Sequence, residues 1–241
     1  MTTKDRIIVA LDTDSRATAL SLVRQLRAQV GVFKIGSQLY TAEGPEMVRE
    51  IIEMGEKVFL DLKFHDIPNT VAGAVSAAAS LGVSMLTLHT LGGLPMLESA
   101  ARCVRESRMA AERPLLLGVT VLTSMSGTDL EEVGVYAEVE TQVALLAGLA
   151  LKAGLDGVVA SPKELPRLRQ QYGQSLKLIV PGVRPTGSAS HDQTRIATPA
   201  EAIHAGADYL VIGRPITASS DPPGSVQQIV EMIEREQVPK G

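Results

Sequence analysis

The sequence has 241 residues and a formal net charge of −4, and 45% of its residues are hydrophobic but only 3% are aromatic. This length suits one large α/β barrel or two small domains, and the aliphatic composition favours a parallel sheet covered by helices over an all-β sandwich. Because no basic stripe alternates with aromatic residues, we expect no nucleic-acid partner.

The cysteine content and the apolar runs predict a cytoplasmic protein. A single cysteine, Cys103, excludes an internal disulfide framework and is typical of a reducing, cytoplasmic setting. The first residues lead directly into a short apolar strand without a signal-peptide core. The longest apolar run, residues 143–151, is too short to cross a bilayer, so we expect no membrane partner.

Short β-rich runs alternate with longer segments rich in Ala, Leu, Glu and Lys along the whole chain. Strands are predicted at residues 6–11, 32–35, 58–62, 85–89, 115–122, 157–160, 178–180 and 209–212. Helices are predicted at 16–29, 45–54, 70–81, 94–107, 141–153, 163–172, 199–205 and 226–236. Eight β-then-α units without a linker predict a single (β/α)8 TIM barrel over residues 1–241, with a doubly wound open sheet as the alternative.

Polar residues lie at the carboxyl ends of most of the predicted strands, where the active sites of such barrels are built. Each has an ordinary structural explanation, because a strand-end aspartate often caps the next helix and a lone histidine is often a satisfied core group. Their convergence on one barrel mouth is harder to explain by structure alone. The candidates are Asp12, Lys34, Asp61, Lys63, Asp66, His89, Thr123, Ser124, Pro181, Arg184, Gly213 and Arg214.

The densest group of charges is Asp61-Leu-Lys-Phe-His-Asp-Ile-Pro-Asn-Thr70, directly after an apolar run. Side chains two apart on a strand share a face, so we expect Asp61 and Lys63 to point the same way. Asp66 lies beyond the strand end, where Pro68 turns the chain. A salt bridge on a surface strand is the ordinary explanation, but burying three charges in one loop costs several kcal/mol per ion unless they are paired or used.

Two long loops follow predicted strands 5 and 7, at residues 122–134 and 182–195. The second loop is rich in Gly, Ser and Thr, and loops of this length are usually functional lids or disordered insertions, of which we favour a lid. The loops after strands 7 and 8 of such barrels commonly bind phosphate. Glycine amides and the forked guanidinium of Arg214 suit that ligand, so we predict a small phosphorylated substrate.

The motif Asp61-x-Lys63-x-x-Asp66, together with Asp12, Lys34, Pro181-Gly-Val-Arg184 and Gly213-Arg214, resembles the bacterial branch of the orotidine 5′-phosphate decarboxylase family across the whole chain. The resemblance implies a (β/α)8 barrel homodimer that converts orotidine monophosphate to UMP and CO2, the last step of de novo pyrimidine nucleotide synthesis. It also implies that neither a metal nor an organic cofactor takes part.

The resemblance also implies a role for each residue of the site. Lys63 would stabilise the carbanion left at C6 and protonate it, while Asp61 and Asp66 favour its charged form and Asp61 repels the substrate carboxylate. Lys34 would be the fourth catalytic residue, because it extends the alternation of charge. The binding residues implied are Asp12 and Lys34 for the ribose, Thr123 and Ser124 for the pyrimidine, Gln193, Gly213 and Arg214 for the phosphate, and Pro181 and Arg184 at the base of the lid. Asp66 and Thr70 would reach the neighbouring subunit's site.

Two other interpretations remain open. Related sugar-phosphate enzymes, the 3-keto-gulonate-phosphate decarboxylases and hexulose-phosphate synthases, share the Asp-x-Lys-x-x-Asp pattern but use Mg²⁺ held partly by an acidic side chain on strand 2. Here that position is Lys34, which repels Mg²⁺ and offers no oxygen ligand. A catalytically idle barrel that binds a nucleotide is the second possibility, although binding alone gains nothing from a buried Asp–Lys–Asp array.

Overall fold

Eight parallel strands pair in chain order and close on themselves in the computed structural model, which describes residues 1–106, 113–185 and 197–237. The predicted (β/α)8 barrel is therefore confirmed. A single domain over residues 1–241 stays a prediction. The strands are β1 (Ile7–Ala10), β2 (Val32–Gly36), β3 (Val58–Phe64), β4 (Met85–His89), β5 (Leu115–Val119), β6 (Gly157–Val159), β7 (Lys177–Val180) and β8 (Tyr209–Ile212).

Helices follow the strands and cover the outside of the barrel, where their apolar faces pack against the sheet. None of the helices in the described ranges is long and apolar enough to cross a membrane. The helices are α1 (Arg16–Leu26), α2 (Ser37–Glu43), α3 (Pro45–Glu53), α4 (Pro68–Ala79), α5 (Gly93–Arg105), α6 (Gly127–Glu132), α7 (Val139–Ala153), α8 (Leu165–Tyr172), α9 (Pro199–His204), α10 (Arg214–Thr217) and α11 (Pro222–Gln237).

The predicted boundaries differ from the observed ones at both strand and helix ends, and the largest difference is at α11, which begins four residues earlier than predicted, at Pro222. Strand β3 continues two residues past the predicted end, to Phe64, while β5 stops three residues earlier than predicted, at Val119. Helices α2, α6 and α10 were not predicted, because four to seven residues are too few to display a helical apolar period. Helix α4 begins at Pro68, since proline is favoured at the first helical position.

The inside of the barrel is an apolar plug below a polar layer. The plug is formed by Ile8, Ala10, Val32, Phe59, Met85, Leu117, Ile179 and Val211. Side chains alternate between the two faces of a strand, so the residues two further along β2, β3 and β4 continue the interior face. These residues are Lys34, Asp61 and Thr87. The alternation therefore places three polar side chains directly above the plug, at the carboxyl end of the barrel.

Ion pairs tie the strands together at the opposite, amino-terminal end. The Arg113 guanidinium donates two hydrogen bonds to the Asp156 carboxylate, at 2.8 and 2.7 Å, and Asp156 also accepts the backbone N–H of Leu116 at 2.9 Å. Asp208 accepts the N–H of Leu178 at 2.8 Å and pairs with Arg169. Because these carboxylates each bridge neighbouring strands, this end stabilises the barrel and leaves the other end for chemistry.

We predict that Gly157→Ala destabilises the barrel, because a Cβ at this position would lie 2.5 Å from the backbone carbonyl oxygen of Lys177 on β7. Overpacking of this kind costs about 1–3 kcal/mol, and a backbone atom cannot rotate away as a side chain can. Chemical denaturation would measure the loss. Gly127→Ala is the matched control, since a Cβ there meets no atom within 4 Å, and equal stability of the two variants would contradict the prediction.

Candidate active site at the carboxyl end of the barrel

Four side chains of alternating charge cross the barrel mouth in one continuous row. Lys34 Nζ lies 3.1 Å from Asp12 Oδ1 and 3.6 Å from Asp61 Oδ2, and Lys63 Nζ lies 2.9 Å from Asp61 Oδ1. Each lysine therefore has a carboxylate neighbour, and Asp61 stands between two ammonium groups. The structure thus brings together Asp12, Lys34, Asp61 and Lys63, as the strand-end positions predict.

The register of the first three strands sets this order. Ala10 pairs with Lys34 across β1 and β2, and Gly36 pairs with Asp61 across β2 and β3. Each strand is thus displaced along its neighbour. This stagger places the polar residues of β1, β2 and β3 side by side across the mouth. Gly36 also leaves room for the ammonium, because a Cβ there would lie 3.0 Å from Lys34 Nζ and press on it. Lys34 is only 9% exposed, so its ammonium depends on the two carboxylates for charge neutralisation.

Lys63 sits in an irregular part of β3. The register between β3 and β4 shifts between Leu60 and Phe64, so that four steps along β3 match two steps along β4. Within this bulge Lys63 has φ +51°, the one positive φ outside glycine among the described residues. The expectation that Asp61 and Lys63 point the same way is met, but by a bulge and a strained backbone instead of simple alternation.

Thr87, a residue that the sequence analysis missed, connects the strained backbone to the carboxylate. Its hydroxyl accepts the N–H of Lys63 at 2.9 Å and donates to Asp61 Oδ1, also at 2.9 Å. Thr87 is fully buried on the interior face of β4. A sequence signal did exist, since a lone threonine stands between leucines in Met85-Leu-Thr-Leu-His89, but threonine is also an ordinary strand residue.

The Asp61 carboxylate is held in its charged form. Burial by itself raises the pKa of Asp61, but the charges of Lys34 and Lys63 and the hydrogen bonds from Lys63 and Thr87 outweigh burial. The net result is a pKa for Asp61 below its usual value. A fixed negative charge therefore lies beside Lys63 throughout the neutral pH range.

The row of charges forms one wall of a cavity of about 260 Å³ at the barrel mouth. Its floor is apolar and includes Phe59, Val159 and Val211 from the plug and the strand ends. Thr123 and Pro181 line it after β5 and β7, and a Cβ on Gly213 would lie 3.4 Å from Asp12 Oδ2. The remaining predicted residues that line the cavity are Arg184, Gly213 and Arg214.

Four predicted site residues lie elsewhere or outside the described part of the chain. Ser124 is exposed and does not line the cavity, although its neighbour Thr123 does. Asp66 and Thr70 are exposed beyond the end of β3, and the Asp66 carboxylate accepts the backbone N–H of Ile67 at 2.6 Å. Gln193 lies outside the described residues, as does most of the predicted lid at 182–195.

Two histidines stack beside Asp66, outside the cavity. The ring centroids of His65 and His89 lie 5.4 Å apart with an interplanar angle of 19°. Burial, followed by the influence of His65 and Lys63, lowers the pKa of His89 below its usual value. His89 Nδ1 accepts the N–H of Leu91 at 3.4 Å, which caps the short turn after β4. His89, a candidate from its strand-end position, thus has a structural role in the chain.

The chain is similar to known proteins over nearly its whole length. A family model described as "Orotidine 5'-phosphate decarboxylase / HUMPS family" matches residues 5–229. The chain is 55% identical over 230 residues to the orotidine 5′-phosphate decarboxylase of Syntrophotalea carbinolica, covering 95% of this chain and 94% of the relative. It is 52% identical to that of Moorella thermoacetica over 237 residues, covering 97% and 94%.

A solved structure gives the same result. The crystal structure of orotidine 5′-phosphate decarboxylase from Lactobacillus acidophilus matches with a TM-score of 0.84 and 36% identity. The match covers 94% of this chain and 98% of that one. At this identity the similarity extends beyond the shared barrel to the sequence itself.

We predict that Asp61→Asn lowers the free energy of unfolding by about 2 kcal/mol near neutral pH, because asparagine mimics the protonated carboxyl and loses the charge-assisted bonds. The pKa of Asp61 in the folded chain lies below its ordinary value of 3.8, so the ionised form stabilises the fold at higher pH. The stability difference between the two proteins should stay constant above about pH 5 and shrink as the pH falls below 3.8.

Denaturation midpoints measured from about pH 3 to pH 8 would check this dependence. A difference that does not change with pH would show that the Asp61 charge contributes nothing to folding.

Proposed function

The chain belongs to the orotidine 5′-phosphate decarboxylase / HUMPS family, and we propose that its barrel mouth decarboxylates orotidine 5′-phosphate to UMP and CO2 without a metal or organic cofactor. The class of the curated relatives is carboxy-lyase, and UMP formation is a step of pyrimidine nucleotide synthesis. The observation that carries the mechanism is the Lys63–Asp61 pair at 2.9 Å, inside a cavity with an apolar floor.

The reaction requires a positive charge beside one carbon atom of the substrate, C6. Loss of CO2 from C6 leaves an electron pair in the plane of the pyrimidine, where the ring π-system cannot delocalise it. A preorganised positive charge stabilises that pair as it develops, and a proton on the same group can then quench it. Lys63 meets both needs, because its ammonium is a compact cation that lines the cavity. We assign Lys63 as the group that protonates C6.

Asp61 is assigned two effects that follow from its fixed charge. It holds the Lys63 ammonium by a hydrogen bond at 2.9 Å, which orients the proton donor before the substrate arrives. Its negative charge also faces the region where the substrate carboxylate would lie, and that repulsion is relieved as CO2 leaves. We give the larger share of the rate to stabilisation of the carbanion, because only interactions that strengthen in the transition state raise kcat.

The rest of the cavity suits the rest of the nucleotide. Asp12 and Lys34, joined at 3.1 Å, offer an acceptor and a donor for the ribose hydroxyls. Thr123 and the neighbouring Ser124 are assigned to the pyrimidine edge. The phosphate is assigned to the cationic rim after β7 and β8, and the residues proposed there are Pro181, Arg184, Gly213 and Arg214, with Gln193.

The metal-dependent relatives differ at β2. Their mechanism needs an acidic ligand there, whereas Lys34 supplies an ammonium 3.6 Å from the Asp61 carboxylate. That ammonium already balances the charges of Asp61 and Asp12, and it offers a divalent cation no oxygen ligand. The donor set therefore fits a metal-free reaction better than one that uses a Mg²⁺-bound enediolate.

A barrel that only binds nucleotide is the second candidate function. The strain at Lys63 argues against it, because a positive φ in a lysine is costly and persists where the surrounding structure enforces it. Binding alone would be served by a lysine in relaxed geometry. The predicted cytoplasmic location stays a prediction under either function.

The position of Asp66 supports a site shared between two chains. Within the described residues of one chain Asp66 has no ammonium partner, and it lies on the same surface depression as Ile67 and Leu91. These two apolar side chains are 66% and 50% exposed, which is unusual for large hydrophobic residues so close together. We propose that this face forms an isologous homodimer, in which Asp66 and Thr70 complete the partner's site.

We predict that Lys63→Ala lowers kcat for UMP formation at least about 1,000-fold, because one group supplies both electrostatic stabilisation and the proton. Nucleotide binding should remain largely in place, since the ribose and phosphate contacts are untouched. The loss of absorbance of orotidine monophosphate, followed in excess EDTA, measures the rate. Calorimetric titration with UMP measures binding.

Lys152→Ala, an exposed lysine on α7, is the matched control and should keep full activity. Substantial activity in Lys63→Ala would remove the proton-donor assignment. A strict Mg²⁺ requirement in the unmodified protein would instead favour the metal-dependent relatives.

We further predict that mixing Lys63→Ala chains with Asp66→Ala chains regenerates active sites. In a mixed dimer one site combines an intact Lys63 with an intact Asp66, so random exchange of equal amounts should restore about a quarter of the unmodified activity. The assay follows UMP formation after the chains exchange. Exchange demonstrated by mass spectrometry without any return of activity would refute the shared site.

A further inference from the structure

We propose that Thr87 is a positioning residue that holds Lys63 and Asp61 in their reactive arrangement through a single hydroxyl group. The inference rests on the proposed decarboxylation, in which Lys63 and Asp61 act at C6. Thr87 itself does not line the cavity, so it acts through these two residues and not on the substrate.

The direction of each hydrogen bond at Thr87 is fixed by its partners. The backbone N–H of Lys63 can only donate, so the hydroxyl oxygen accepts it, at 2.9 Å. The single hydroxyl proton is then free for Asp61 Oδ1, also at 2.9 Å, and a carboxylate can only accept it. Both roles of the hydroxyl are used, and neither can be reversed.

These bonds close a ring that starts and ends at Lys63. The Lys63 amide binds Thr87, Thr87 binds Asp61 Oδ1, and the same oxygen accepts the Lys63 ammonium at 2.9 Å. The backbone amide and the ammonium of Lys63 are therefore both held by one carboxylate oxygen, Asp61 Oδ1, the first through Thr87 and the second directly. A shift at any bond of the ring moves the ammonium relative to the cavity.

The ring also explains how the strained backbone persists. In the bulge, where Phe64 and not Lys63 pairs with Leu88, the Thr87 hydroxyl replaces the strand carbonyl as acceptor for the Lys63 N–H. Without that acceptor a part-buried N–H loses its partner, and the positive φ of 51° loses the contact that compensates for it. Lys63 would then relax toward an ordinary strand geometry.

The hydroxyl further selects the orientation of the Asp61 carboxylate. Oδ1 receives Thr87 and Lys63, while Oδ2 faces Lys34 at 3.6 Å. Removing the Thr87 donor lets the carboxylate turn toward Lys34 and weakens its hold on Lys63. Thr87 is fully buried, so bulk water does not substitute for the missing hydroxyl.

The test compares steady-state kinetics of Thr87→Val, which keeps the shape but removes the hydroxyl, with those of Thr87→Ser, which keeps the hydroxyl. We expect Thr87→Val to lower kcat about 10- to 100-fold with KM changed less than about threefold, since the hydrogen bonds involved include one to a charged group. Thr87→Ser should stay within about threefold of the unmodified kcat. A valine variant with full kcat, or a serine variant as slow as valine, overturns the assignment.

Thr90→Val is the matched control, because Thr90 is equally buried but donates only to the backbone carbonyl of Val119. It should keep kcat within about threefold while losing one neutral hydrogen bond. If Thr87→Val does not fold, Thr87→Ala and Thr87→Ser decide the question, because they differ by one oxygen atom. Serine must then be at least about tenfold faster than alanine, and equal rates overturn the assignment.

The outcome is separable from that of the proposed function. If the unmodified protein does not form UMP from orotidine monophosphate, the proposed function fails before Thr87 is tested. If the unmodified protein and Thr90→Val are active and Thr87→Val is equally active, only the positioning role fails. UMP binding, measured by calorimetry, should be unchanged in Thr87→Val, because the residue does not line the cavity.

Discussion

The site depends on the mutual neutralisation of charges that the barrel buries together. Asp61 sits deep in the mouth, where burial alone would favour its protonated form, and the Lys34 side chain is at least as inaccessible. Neither charge is tolerable in that environment without the other, and the two exposed ends of the row, Asp12 and Lys63, extend the alternation toward solvent. The arrangement stabilises a charged group against the barrel interior and keeps one ammonium accessible to a ligand.

The apolar plug makes that arrangement possible. Phe59 lies two residues before Asp61 on the same face of β3, and Val32 has the same relation to Lys34 on β2. The packed layer fixes each strand, so the polar residue above it has a defined height and direction. Ion pairs at the amino-terminal end, such as Arg113 with Asp156, hold the strands from the other side. The positions of the charged side chains at the mouth are therefore set by the apolar plug below them and by ion pairs at the opposite end of the barrel.

Much of this could be predicted from the sequence, because strand alternation and strand order are local patterns. The alternation of β-rich and helical segments predicted the barrel and the strand-end positions of Asp12 and Lys34. The two-residue spacing on a strand predicted that Asp61 and Lys63 lie together. The bulge in β3 could not, since periodicity says which face a residue occupies but not where a residue is inserted. Thr87 was missed for a related reason: a β-branched residue in a strand is ordinary, and its hydroxyl matters only beside a strained partner.

The plug also closes the inner end of the cavity and so limits how a ligand can enter and leave. The described cavity is floored by buried residues such as Phe59 and Val211, so the barrel is a blind well and not a channel. For the proposed reaction, the substrate and both of its products must then use one opening. Because CO2 and the nucleotide have no second exit from this cavity, the shape of that opening bears directly on product release. The packing of the strands thus sets the route of entry and exit for any ligand of the cavity.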